Sequence, residues 1–250
     1  MEISLKNKKY LITGSSSGIG KAVSLKLLEE GANVCLIDIN NIDSEQIIAD
    51  AKDDHVSFAL RCDLSNYNEI ENVFLQCRER GFVLDGLVHC AGLSPLMKVS
   101  ENDIEACEKT FAVNYFSFLE MMKQYSKEGA ANDGGSVIAM SSASILKASV
   151  RQSVYSASKA ALNQSVRAIA NEMLPRKIRV NTIIPNVVQT EMFNKLTEQS
   201  ENLIERTLIN QPLGIIPPEN IAEVVCFLLS DYARFITGEG YLLTAGFFCK

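Results

Sequence analysis

"KYLITGSSSGIGKAVSLKLLEEG", residues 9–31, decides the fold. Its first five residues form an apolar run of strand length, without alternation, as suits a strand covered on both faces. GIGKAVSLKLLEEG then repeats apolar residues at helical spacing and closes on Gly31, a residue type that tolerates the left-handed turn after a helix. Between the two lies TGSSSGIG, with Gly14, Gly18 and Gly20 at the strand–helix junction. Glycines there allow positive φ and a close approach of backbone to ligand, and a helix N-terminus offers unpaired N–H groups to a pyrophosphate. The spacing is G-x-x-x-G-x-G rather than G-x-G-x-x-G, so taken alone it also fits a plain turn. Its place in the first βα unit favours the phosphate reading, because open α/β sheets bind dinucleotides there.

Working outward, NVCLID predicts a second strand that ends on Asp38, 18 residues after Gly20. A carboxylate at that point accepts both adenosine ribose hydroxyls and repels a 2′-phosphate. The loop holds serines where arginine or lysine would grip that phosphate, and Ile39 follows Asp38, so the pattern favours NAD over NADP. The same carboxylate could instead cap the next turn. Beyond it, helix-length and strand-length segments keep alternating. Helices are predicted over 44–52, 68–81, 100–127, 153–173 and 217–230, and strands over 56–63, 84–92, 134–142, 177–184 and 240–245. Residues 190–210 read as loosely helical. Such alternation implies an α/β, doubly wound fold with a parallel sheet covered on both faces. With no repeat, linker or composition break, residues 1–250 form one predicted domain.

Composition narrows the function classes. The net charge of −6 disfavours nucleic acid as a partner. No apolar run reaches the ~18 residues of a membrane span, and MEISLKNKKYLITG lacks the apolar stretch of a secretory signal, so a cytoplasmic protein is expected. Seven cysteines, without metal-ligand spacing, read as buried reduced thiols. His55 and His89 are isolated, and no metal site is expected.

SVYSASKAAL, residues 153–162, sets Tyr155 and Lys159 four apart among small residues. Residues at i and i+4 share a helix face, so the two can meet one ligand. Alone, the stretch fits a packing helix equally well. Read with TGSSSGIG, CDLS, HCAG, VN and SS, in chain order, it makes the whole chain resemble the short-chain dehydrogenase/reductase family.

That resemblance implies a single Rossmann-type domain of about seven parallel strands, and hydride transfer between a nicotinamide and an alcohol or ketone. It implies Tyr155 as general acid/base, Lys159 as its electrostatic partner and ribose clamp, Ser142 as donor to the substrate oxygen, and Asn114 as holder of a water that links Lys159 to solvent. For the cofactor it implies Gly14, Ser16, Ser17, Gly18, Ile19 and Gly20 around the phosphates. Asp38, Asp63, Leu64, Cys90, Ala91 and Gly92 fall on the adenosine side, and Pro185, Val188 and Thr190 at the nicotinamide, with Tyr155 and Lys159 beside it. A free phenol has a pKa of about 10, and a nearby ammonium is expected to lower it.

Three stretches depart from the family pattern. His89 and Cys90 replace two asparagines, Asn186 replaces a glycine whose left-handed geometry asparagine can adopt, and LLTAGFF replaces a C-terminal D-G-G and is expected to touch assembly contacts. His89 is expected to be a hydrogen-bonded structural residue, and His55 to begin a strand. A mobile lid is expected over 190–211, with Met192, Phe193, Leu196, Leu203, Ile204 and Leu208 as its apolar inner face. Residues 94–97, Ile145 and Leu146 are further pocket candidates. Rival readings are an NADPH-dependent 3-oxoacyl-[acyl-carrier-protein] reductase and a non-catalytic NAD-binding regulator. Helices over 100–127 and 153–173 resemble the family's dimer-forming pair, so a homotetramer or dimer is expected.

Overall fold

The fold was described from a computed structural model, which covers residues 3–40, 42–51, 56–198 and 202–249. Seven strands pair in parallel in the order β3-β2-β1-β4-β5-β6-β7. They are β1 (Lys9–Thr13), β2 (Asn33–Asp38), β3 (Phe58–Arg61), β4 (Leu84–His89), β5 (Ala131–Met140), β6 (Arg179–Pro185) and β7 (Gly240–Leu243). Neighbouring residues along a strand point to opposite faces, so each central strand feeds two cores. Leu11, Cys35, Leu87 and Val137 enter one, and Ile12, Leu36, Val88 and Ile138 the other.

The first core is covered by α3 (Tyr67–Glu79), α5 (Ser117–Ser126) and α6 (Ser153–Met173), which bury Phe74, Phe118, Met121 and Leu162. The second is covered by α1 (Gly18–Glu29), α2 (Ile42–Asp50) and α9 (Pro218–Leu229), with α1 packed along α9. This is the doubly wound arrangement the sequence implies. The strand order reverses between β1 and β4, and in such sheets the crevice at the carboxyl ends of those strands is the ligand site.

Three segments differ in detail from the sequence reading. The edge strand β3 is shorter than predicted. The tract 100–127 is not one regular helix: α4 (Ile104–Phe111), capped by Asp103 on the Ala106 N–H at 3.1 Å, passes through a π-helical turn at Ala112–Phe116 before α5. Residues 190–210 split into α7 (Glu191–Thr197) and α8 (Leu203–Asn210). His55, expected to begin a strand, lies outside the described residues.

All seven cysteines are free, but only Cys35, Cys62, Cys77 and Cys226 are buried. Cys90 and Cys107 are half-buried and Cys249 is exposed, because it follows the last strand beyond the packed body. Among the described residues no helix is long and apolar enough to cross a membrane, and no group of three or more histidine, cysteine or acidic side chains could hold a metal ion.

Candidate active site

A cavity of about 750 Å³ opens at the carboxyl ends of β1 and β4. One wall is the loop that leaves β1. A Cβ added to Gly20 would lie 2.0 Å from the Gly14 carbonyl oxygen, so the loop can fold against the start of α1 only with glycine there. No side chain caps the first turn of α1, whose first N–H groups have no partner within the helix. Asp38 faces the same cavity from the end of β2. Its two carboxylate oxygens accept the Ser16 N–H at 3.1 Å and the Asn40 N–H at 3.0 Å. The turn-capping alternative is therefore part of its role, and each oxygen keeps a lone pair for a ribose hydroxyl. A glycine cradle, an uncapped helix end and a carboxylate at this spacing fit a dinucleotide.

Of the residues expected at the site, the structure brings all but two to this cavity. Ser16 is buried beneath the loop, its hydroxyl donating to the Asn40 carbonyl and sharing a hydrogen bond with Ser44. Asn114 is also fully buried, within the π-helical turn. Its amide accepts the Leu93 N–H at 2.7 Å and donates to the Leu93 carbonyl and the Ser158 hydroxyl, both at 2.9 Å. The Asn114 side chain thus clamps the chain after β4 to α6.

α6 presents Tyr155 and Lys159 to the cavity one turn apart, opposite Ser142 at the end of β5. Burial raises the Tyr155 pKa above its ordinary value, and the Ser142 hydroxyl offsets part of that rise. The expected lowering by Lys159 is not found. Its ammonium donates to the Met140 carbonyl at 2.7 Å, and burial brings its own pKa down to about 8. Gly92 makes room for it: a Cβ there would lie 3.2 Å from Lys159 Nζ.

His89 ends β4 behind this group. Thr13 Oγ1 accepts the N–H groups of Cys90 and Ala91, both at 3.1 Å, which leaves its proton for His89 Nδ1 at 2.9 Å. Nδ1 is then the acceptor, and the neutral ring carries its proton on Nε2. Burial and the Lys159 charge push the His89 pKa down to about 3, against a smaller pull from the Asn114 backbone. It is the hydrogen-bonded structural residue the sequence suggests.

The substrate end needs more correction. Met192, Phe193 and Leu203 line the cavity, but Ile204 and Leu208 are exposed on the far side of α8. At 3.6 residues per turn, Leu203, Arg206, Thr207 and Asn210 share the inner face, which is therefore mostly polar. The side chain of Leu196 lies outside the described residues. Of residues 94–97 only Ser94 lines the cavity, and the stretch 143–147, which opens with the short turn Ala143–Ile145, presents Ser144 and Lys147 rather than Ile145 and Leu146.

Asn186 is not left-handed; it donates to Gln211 Oε1 at 2.9 Å. The buried Gln211 amide also bonds the Val187 N–H and carbonyl and the Gly214 carbonyl, which ties the end of α8 to the end of β6. The C-terminal stretch reaches the site itself. Phe247 lines the cavity, with Lys147 Nζ 4.9 Å above its ring. Arg206, Lys147 and Phe247 carried no local motif. Only the helical spacing of 203, 206, 207 and 210 could have pointed to the first.

Comparison with known proteins gives the same frame. Residues 14–247 match the family model described as Enoyl-(Acyl carrier protein) reductase. An NAD-dependent glycerol dehydrogenase of Listeria innocua is 31% identical over 250 residues, covering 100% of this chain and 97% of that protein. The 3-oxoacyl-[acyl-carrier-protein] reductase FabG of Thermotoga maritima is 30% identical over 245 residues, covering 94% and 95%. Among solved structures, a short-chain glucose/ribitol dehydrogenase from Brucella melitensis superposes with a TM-score of 0.92 at 25% identity, covering 99% of each chain. A 4-hydroxyisoleucine dehydrogenase complexed with NADH gives 0.87 at 30% identity, covering 98% of this chain and 100% of that one. A match running from the glycine loop to the cavity-lining C-terminus, with relatives aligned over nearly their whole length, means that the chain belongs to the short-chain dehydrogenase/reductase family of NAD(P)-dependent oxidoreductases.

Proposed function

We propose that the protein is an NAD-preferring dehydrogenase/reductase acting on an alcohol–ketone pair, with Tyr155 as general acid/base. The observation that carries this reading is the convergence of Ser142, Tyr155 and Lys159 on the cavity that also holds the glycine loop and Asp38. The nicotinamide, when bound, accepts or supplies the hydride. The protein's own residues manage the proton and the charge. Tyr155 takes the hydroxyl proton in oxidation and returns it in reduction. Ser142 donates to the substrate oxygen, where negative charge develops. Lys159, held against the Met140 carbonyl one turn from Tyr155, supplies a donor for the ribose. Residues 190–211 act as a lid on one domain, 1–250.

NAD preference follows from Asp38, whose charge opposes a 2′-phosphate, and from Ile39 beside it in the cavity wall. The Listeria relative, described as NAD-dependent, supports it. The Thermotoga relative favours the rival, an NADPH-dependent 3-oxoacyl-[acyl-carrier-protein] reductase. Of the one basic patch that could meet an acidic carrier protein, Arg176 and Lys177, Arg176 is occupied by Asp133 at 2.8 Å and by the Ser126 and Ala131 carbonyls, which weighs against that rival. A binding-only regulator has no use for the full proton-handling set. Assembly as a homotetramer or dimer is proposed through the α4–α6 side, where Ile104 and Phe116 are exposed.

Tyr155→Phe tests the assignment: NADH should bind as tightly as to wild type while turnover falls by at least about a thousandfold. Persisting turnover would remove Tyr155 from the chemistry. Separate titrations with NADH and NADPH test the role of Asp38, and tighter NADPH binding would refute it.

A further inference from the structure

Arg206 and Lys147 stand out among the cations that line the catalytic cavity, where Lys159 is held by the Met140 carbonyl. Lys8, Lys26, Arg61, Lys98, Lys123, Lys127 and Arg176 each pair with a carboxylate. Arg206 and Lys147, like several surface cations such as Arg151 and Lys177, form no ion pair among the described residues, but these two line the cavity. Both line the catalytic cavity at its substrate end. Arg206 projects from the inner face of the lid helix α8, and Lys147 lies five residues beyond Ser142 and rests on the Phe247 ring. The acidic residues that line the same cavity are Asp38, Asp63 and Glu191. Asp38 is held by the loop and Asn40, and Asp63 by the Ser65 N–H and hydroxyl at 2.9 and 2.7 Å. A further lining cation, Lys109, bears on Asp63. Only Glu191 then opposes the two cations at the substrate end, which keeps a surplus of one positive charge.

We propose that the substrate is a hydroxy acid (or the matching oxo acid) whose carboxylate is bound by Arg206 and Lys147 while its hydroxyl faces Ser142 and Tyr155. This deepens the dehydrogenase reading and rests on it. The planar guanidinium suits a carboxylate, and the ammonium adds a point charge. Because Arg206 rides on the lid, the charged end of the substrate helps to seat α8 over the cavity. Such contact orients the hydroxyl and discriminates against neutral alcohols.

The test uses the full-length enzyme with NAD and a panel of 2-, 3- and 4-hydroxy acids, their neutral amides, the matching plain alcohols and the corresponding phosphate monoesters. The hydroxy acids should exceed their amides in kcat/KM by roughly tenfold or more, the usual effect of a charge-assisted hydrogen bond. Arg206→Met and Lys147→Met should each lower that acid-to-amide ratio by a similar factor, mainly through KM. Arg206→Lys should recover part of the loss. Equal use of acids and amides by wild type, or ratios unmoved in both variants, overturns the proposal while leaving the dehydrogenase reading intact. Preference for the phosphate monoesters overturns the carboxylate assignment. If NADH binds but no alcohol in the panel is oxidised, the dehydrogenase reading fails, and this proposal fails with it.

Discussion

Replacing Lys159 by methionine should destroy activity and at the same time stabilise the fold. Lys159 is 3% exposed, and burial lowers its pKa from 10.5 to about 8. The difference corresponds to about 3 kcal/mol spent at pH 7 to keep the amine charged in the folded state. Methionine fills a similar volume without that charge. It loses the bond to the Met140 carbonyl, worth about 1 kcal/mol, which leaves a net gain of about 2 kcal/mol. In a chain of this length that raises Tm by roughly 4–8 °C.

The pH dependence identifies the cause. Because the folded-state pKa is depressed, the unfolded chain binds more protons between about pH 8 and 10.5, and wild type gains stability as pH rises through that window. The advantage of Lys159→Met should therefore shrink by about 2 kcal/mol between pH 7 and pH 9.5. Urea unfolding of both proteins at the two pH values, without added nucleotide, measures it. A variant less stable than wild type at pH 7, or a difference that does not move with pH, would refute the buried-charge account.

Two further predictions concern the cradle and the strand behind it. Gly20→Ala forces a methyl to within 2.0 Å of the Gly14 carbonyl, so the loop must open, and NADH affinity, read by fluorescence titration, should fall by more than about tenfold. Retained affinity would mean the loop does not set the pyrophosphate position. For His89→Asn the readout is acid stability. With the His89 pKa lowered from 6.5 to about 3, wild type loses stability as pH falls through that interval. The loss reaches about 2 kcal/mol by pH 5, and the variant should lack that part of the slope. Parallel acid limbs for the two proteins would clear His89 of this role.

How much of this was legible in the sequence follows from how far each signal travels along the chain. KYLIT and NVCLID could be read as strands because burial on both faces demands unbroken apolar runs, a local property. The loop could be read because glycines meet a steric demand set by neighbours a few residues away. The π-helical turn at Ala112–Phe116 gave no such signal, since no residue type marks it and the clamp on Leu93 and Ser158 exists only once β4 and α6 are in place. Arg206, Lys147 and Phe247 come from three distant segments and meet only across the finished cavity. The inner face of α8 was misjudged for a related reason. Apolar residues at 204 and 208 look like an inner stripe, yet α8 turns the other face inward, with Gln211 tying its end to β6.

The departures from the family pattern acquire a common sense once Lys159 is recognised as a charge held almost out of water. Asparagine side chains beside such a charge are neutral at every pH. Histidine and cysteine are not neutral by nature, but here both are kept so. Thr13 fixes His89 as the neutral tautomer, and burial pushes its pKa down to about 3 and that of Cys90 up to about 12. Between those limits neither group ionises, so neither adds a charge beside Lys159. The replacements alter shape and hydrogen-bond donors while adding no charge beside Lys159. An ionised group at either position would have paired with Lys159 or repelled it. His89, fully buried, and Cys90, half-buried in the cavity wall, are both held neutral.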